Sequence, residues 1–372
     1  MKKRLLILWV LMIPFCLSIN ASAEEIHQFD NSVEELKGTV DDDTVANMEK
    51  LGVSDIDITS VKDLSLSKTL SLIGDMIAEN ASGPVASCVM MIAVILLASL
   101  LESYTFSLRY VDTKDVMNVV SSLMIILTLV TPATELIQSA VTVIKGTSTT
   151  MLFYVPIMMG IMAFSGHIVS TGAYYTTVMA ASQGISQLSS VFFAPIMNCL
   201  LAISVACAVS DRVKLSGICE LIAKVLKWTI TFVMTIFAAI LSMQGIASNA
   251  ADSVASKAVR FSLSSLIPIV GSSVSEAYKS IEGSLSLLRS GLGVFVIIVI
   301  IVTFLPLILQ ILLWQLSIMV AKTTAEVFNV SSTVTIMNAV SSVLSVMLAI
   351  IVSITSVFVI SSGVLLSVGG GA

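Results

Sequence analysis

Seven apolar runs set the terms for this chain, at about 85–101, 116–134, 151–170, 188–209, 228–247, 292–313 and 336–360. Roughly 20 apolar residues suffice for a helix to cross a bilayer. A weaker run near 261–272 is too short to span comfortably and reads as interfacial, re-entrant or buried against other helices. The runs are continuous, whereas a membrane β-barrel needs alternation. Charged residues make up 12% of the chain and hydrophobic ones 56%, while a soluble domain carries about 25% charged residues. The expected fold is an all-α polytopic membrane protein, a helical bundle.

Charge is unevenly placed. Residues 24–83 hold 14 Asp/Glu against 4 Lys/Arg, whereas from residue 84 onward there are 10 acids and 12 bases. No basic cluster points to nucleic acid. Met1-Lys2-Lys3-Arg4, the apolar stretch Leu5 to Ile19 and Ala21-Ser22-Ala23 read as a signal peptide over 1–23. An uncleaved first helix is the alternative. Either way the basic end stays inside and 24–83 becomes an acidic extracytoplasmic segment. Asp41-Asp42-Asp43 lacks calcium-loop spacing and reads as a solvated charge run. Leu66, Leu70, Ile73 and Ile77 recur at helical spacing. They predict an amphipathic helix that packs on the membrane surface, on a partner or on the protein's own bundle.

Two proline-bearing stretches recur about 111–112 residues apart. Phe153-Tyr154-Val155-Pro156-Ile157 is echoed by Ser265-Leu266-Ile267-Pro268-Ile269, and Phe193-Ala194-Pro195-Ile196 by Phe304-Leu305-Pro306-Leu307. An internal repeat with paired helix breaks often brackets a binding site or pathway in membrane transporters. The expected organisation is a first pair of transmembrane helices over 84–149, membrane repeat 1 over 150–260 and membrane repeat 2 over 261–372.

The basic loop with Arg212, Lys214, Lys224 and Lys227 belongs in the cytoplasm, where it becomes a candidate partner contact. With residues 138–150 outside, an odd number of crossings must separate the two. Two apolar runs lie between them. A re-entrant segment around Pro156 resolves the parity and gives parallel repeats; if every segment spans, the repeats are inverted.

Pro156, Pro195, Pro268 and Pro306 each remove a backbone donor, so each marks either a pathway lining or an ordinary kink. Asn198 and Gln310 follow two of these prolines closely, and His167 lies in an apolar run. All three either line a polar path or bond adjacent helices. Cys16, Cys88, Cys199, Cys207 and Cys219 show no CxxC spacing, and the histidines are His27 and His167. No metal or disulfide framework is expected. No Walker A, HExxH or GxSxG motif occurs, so neither a catalytic residue nor a cofactor is expected.

The acidic outer segment and the proline-bearing bundle come together with Thr131-Pro132-Ala133-Thr134-Glu135 and Met151-Leu152-Phe153-Tyr154-Val155-Pro156-Ile157-Met158-Met159-Gly160. In these features the chain resembles the stage III sporulation protein AE family of spore-forming Firmicutes. The resemblance implies a non-enzymatic multi-pass protein of the mother-cell membrane. It also implies membership of a channel or secretion-like complex joining mother cell and forespore. The implied partners are a cytoplasmic ATPase and ring-forming membrane proteins. A stand-alone secondary transporter with internal repeats is the alternative reading.

Overall fold

A polar interval such as 135–150 is where a chain reversal is expected between two apolar runs. In the computed structural model it is helix instead. The structure describes residues 31–53, 66–108, 112–165, 167–209, 216–266 and 271–367. Two short helices come first, α1 over 31–38 and α2 over Asp42–Leu51. Long helices follow: α3 (Leu66–Leu108), α4 (Asp112–Phe164), α5 (Ile168–Leu188), α6 (Ala194–Val209), α7 (Ser216–Leu266), α8 (Gly271–Val327) and α9 (Ser331–Ser367). A π-helical turn, Ser189–Phe193, joins α5 to α6. Among the described residues every regular element is helical.

The continuity of α4 has a local cause. Thr134, Thr142, Thr147, Thr149 and Thr150 each donate their hydroxyl to the carbonyl four residues back. This bond satisfies the side chain within the helix itself, so threonines do not force an exit from it. The runs 116–134 and 151–164 therefore belong to one helix of 53 residues, roughly 80 Å long at 1.5 Å per residue. The reversal expected before Pro156 is absent, and Pro156 lies inside α4. The boundaries expected at 83/84, 149/150 and 260/261 fall inside α3, α4 and α7. By length and composition, six helices among the described residues can cross a membrane. The chain is a multi-pass membrane protein.

The helices pack as antiparallel neighbours. Ser148 and Ser182 exchange hydroxyl-to-carbonyl bonds between α4 and α5. Asn329 turns the chain from α8 into α9 with φ 57°, a left-handed conformation that asparagine tolerates. Gln315 of α8 then reaches Ser345 of α9 at 3.5 Å. Helix α9 packs deep in the bundle, burying residues such as Ile336, Val340, Leu344, Met347, Ile351 and Phe358. Near the far end, α8 approaches both α9 and α4 at Gly293, where any Cβ would collide with Leu366 and press on Met158.

The acidic segment packs on its own bundle. Leu36, Met48, Leu51 and Val53 are buried, and Thr44 meets Thr303 of α8 at 3.3 Å. Gly52 closes α2 at φ 84°, where a side chain would be strained. The buried face of the following helix is Leu72 and Met76, not the face expected from spacing: Leu70 is 66% exposed and Ile77 38%. The apolar arc runs from Leu72 and Met76 through Ile73 to Ile77 and Leu70, and the edge carrying Leu72 and Met76 is the one buried.

The glycine contact is testable by a matched pair in α8. Gly293→Leu is expected to destabilise by about 1–3 kcal/mol through overpacking. Gly283→Leu, where nothing lies within 4 Å, is expected to leave the melting temperature in detergent unchanged or raised. Equal effects at the two positions contradict the close approach.

Candidate functional site: a polar groove along α3, α4 and α8

Pro132, Glu135, Ser139, Thr142, Gly146 and Thr150 follow one another along α4 at steps of three or four residues. They therefore share one face of the helix. That face looks towards Thr303, Pro306, Gln310 and Trp314 of α8 and towards Glu79, Asn80, Gly83 and Ser87 of α3. Two cavities lie between these walls, of about 610 Å³ and about 440 Å³. Both are lined by Ser139 and Gln310, so they adjoin as one groove. From Thr150 to Pro132 the groove follows α4 for 18 residues, roughly 27 Å at 1.5 Å per residue. The upper mouth is walled by Gly38 to Thr44 and Asn47, which brings Asp41, Asp42 and Asp43 to the opening.

Three helix-interior prolines converge here: Pro84 of α3, Pro132 of α4 and Pro306 of α8. Each lacks the N–H that would bond four residues back, which frees the carbonyls of Asn80, Thr128 and Val302 from the helical ladder. In an apolar bundle such carbonyls need another partner, and a water-bearing groove supplies one. Nearby side chains occupy neighbouring carbonyls: Asn80 donates to Met76, Thr128 to Met124 and Thr303 to Val299. The groove's chemistry is thus hydroxyl, amide, carboxylate and exposed carbonyl. It suits water, cations and the polar groups of a polypeptide.

Of the residues singled out from sequence, Pro306 and Gln310 line this groove. Pro156 is exposed on α4 outside it. Pro195 is exposed at the start of α6, after a π-turn in which Ala194 N–H bonds to Ser189 O, five residues back. The wider turn relieves the clash that the Pro195 ring would otherwise make with the preceding turn. Asn198 is half-buried on α6. Pro268, Arg212 and Lys214 lie outside the described residues, as does the leader over 1–23. Lys224 and Lys227 are exposed on α7, beside a stacked Trp228–Phe232 pair at 5.4 Å. Sequence reading missed Pro84 and Pro132, although the polar period along α4 was visible in the order of residues.

His167 belongs to a different centre, at the turn between α4 and α5. Its Nδ1 stands 3.8 Å from Asp252 of α7, whose side chain is 1% exposed. The Asp252 carboxylate accepts the N–H groups of Val169 and Ser170, each at 3.0 Å. These are unsatisfied donors at the start of α5, where a negative charge is favoured. One turn-pair further on, Gln244 donates to Thr177 at 2.7 Å. Together these bonds clamp α7 to α5. Arg289 of α8 is also buried, to 3% exposure. It lies within electrostatic reach of Tyr154, whose hydroxyl faces Ser362.

The clamp makes a direct prediction. Asp252→Ala leaves two N–H groups at the start of α5, the buried one of Ser170 among them, without their acceptor and is expected to cost about 1–3 kcal/mol. Asp252→Asn retains an acceptor and should fall between parent and alanine variant in detergent melting. Parent-like melting of Asp252→Ala contradicts the clamp.

Comparison with known proteins places this bundle. The family model for stage III sporulation protein AE matches residues 54–369. Stage III sporulation protein AE of Bacillus subtilis (strain 168) is 20% identical over 162 residues. That alignment covers 44% of this chain and 39% of the relative, well under two thirds of the relative's length. No solved structure matches the chain. Because the family match covers residues 54–369, well over half of the sequence, the chain belongs to the stage III sporulation protein AE family.

Proposed function

We propose that this protein is a non-enzymatic membrane subunit of a sporulation channel or secretion-like complex, with its polar groove as part of the route or of its gate. The carrying observation is the groove itself: a hydroxyl- and acid-lined slot along an otherwise apolar bundle, bordered by three helix-interior prolines. Its partners in this reading are a cytoplasmic ATPase and ring-forming membrane proteins. Its place is the mother-cell membrane facing the forespore.

Orientation follows from the continuity of the helices. With α4 as one crossing and α5–α6 as the next, the connections 109–111, 210–215 and 328–330 share one face of the membrane. That face carries Arg109, Arg212 and Lys214, with Lys224, Lys227 and Lys322 close by. With Lys114 these outnumber Lys257, Arg260, Lys279 and Arg289 on the opposite side, a modest excess of Lys and Arg that favours the cytoplasm. The parity problem of the sequence disappears without a re-entrant segment. Residues 24–83, the turn at 165–167, the connection 267–270 and the C-terminus then lie outside.

Two experiments test the reading. Single cysteines at positions 112 and 215 should react with thiol reagents from the cytoplasm, and those at 257 and 370 only from outside. Label reaching position 215 only from outside overturns the orientation. Affinity isolation from sporulating cells should recover an ATPase and ring proteins, and deletion should block spore formation alone. Purified protein that by itself moves a solute against an ion gradient in liposomes would favour the transporter alternative instead.

A further inference from the structure

The walls of the groove carry charge of one sign. Asp41, Asp42 and Asp43 line it at the upper mouth, and Glu79 and Glu135 line its lower part. Among the described residues no Lys, Arg or His lines either cavity. Lys50 stands 3.8 Å from Glu79 without lining the groove, and it balances part of that charge. Lys37 faces a separate void of about 90 Å³ under α2. Lys145 is exposed on α4 outside the lining.

The uncharged walls point to the same sign. A hydroxyl has one proton to donate and two lone pairs with which to accept. Along α4, Thr142, Thr147 and Thr150 give that proton to the carbonyls of Gln138, Val143 and Gly146. Thr303 of α8 gives its proton to the Val299 carbonyl at 2.7 Å, so Thr44, 3.3 Å away, is the donor in their shared bond. Thr39 gives its proton to the Leu36 carbonyl at 2.7 Å. All six threonines line the larger cavity. What they can offer a solute is acceptor oxygen. Pro84 adds the freed carbonyl of Asn80, itself a lining residue. Donors remain at Asn47, Ser139 and Gln310 among others, but none is charged.

Carboxylate, hydroxyl and carbonyl oxygens are the ligands that replace water around a hard cation. A cleft lined by one sign of charge between low-dielectric walls also focuses the field and concentrates the opposite ion. Val143, Leu136, Leu307 and Trp314 supply such walls. We propose that the groove selects cationic solutes over anions. This selectivity rests on the groove being a water-filled route, and it needs no partner protein. A cation exchanges its water for acceptor oxygens along the threonine wall, whereas an anion meets carboxylates at both ends and few donors between them.

The test uses the full chain in native membranes, with its natural cysteines replaced by serine and Ser139→Cys as reporter. Two membrane-impermeant probes are compared, the cationic trimethylammonium-ethyl and the anionic sulfonatoethyl methanethiosulfonate. Each labelling rate is divided by the rate with a small free thiol. At low salt the cationic probe is expected to be preferred by at least about tenfold. The preference should shrink in about 1 M salt, where the Debye length falls to about 3 Å. Asp41→Asn, Asp42→Asn, Asp43→Asn and Glu135→Gln together should reduce it several-fold. A Leu70→Cys reporter, 66% exposed on α3 and outside the lining, should show no such preference. Rapid labelling at Ser139→Cys with no preference overturns the selectivity and leaves the route reading standing. An equal preference at Leu70→Cys also overturns it, because the bias then belongs to the whole outer face. Absence of labelling by both probes overturns the selectivity and the route reading together.

Discussion

Hydroxyls bonded back to the carbonyl one turn earlier are the interaction on which this architecture depends. Along 134–150 they carry α4 through a polar interval that separates two apolar runs. Without them, the threonines would compete for the backbone and favour an exit from the helix. Because α4 continues, two runs become one helix, and its middle can carry a polar face. The same bond recurs on α7 at Thr231 and Thr235, on α8 at Thr303 and on α9 at Thr355 and Ser361. It lets a chain rich in Ser and Thr stay helical in apolar surroundings.

The long helices then set two polar centres in different parts of the molecule. The groove uses α3, α4 and α8 and accepts three prolines whose freed carbonyls border it. The Asp252 clamp joins α5 to α7 by placing a carboxylate at the start of a helix. Close packing at Gly293 pins α8 against α4 and α9.

The helical membrane class was legible from the apolar runs alone, and Pro306 and Gln310, singled out from the sequence, both line the groove. The count of crossings was not, because hydropathy alone treats 135–150 as a loop and cannot see threonines bonding back. The face of α3 was misread for a related reason. Leu70 and Ile77 have the right spacing, but Leu72 and Met76 are the residues that α2 and the bundle cover. Asp252 and Arg289 gave little signal as isolated charges in a polar stretch; their burial arises from helices distant in sequence. Pro156 and Pro195 drew notice through the repeat, yet both are exposed, whereas Pro84 and Pro132 line the groove without belonging to it.

The central claim is that α4 runs unbroken from one apolar run into the next. Spin labels at Leu127 and Phe164, both exposed, measure it by pulsed electron–electron distance spectroscopy in lipid nanodiscs. A continuous helix places the two sites roughly 55 Å apart at 1.5 Å per residue. A distribution centred near that separation upholds the account. A reversal within 138–150 would fold the two runs side by side, and a distribution centred below about 30 Å, far short of the helical rise, would contradict it.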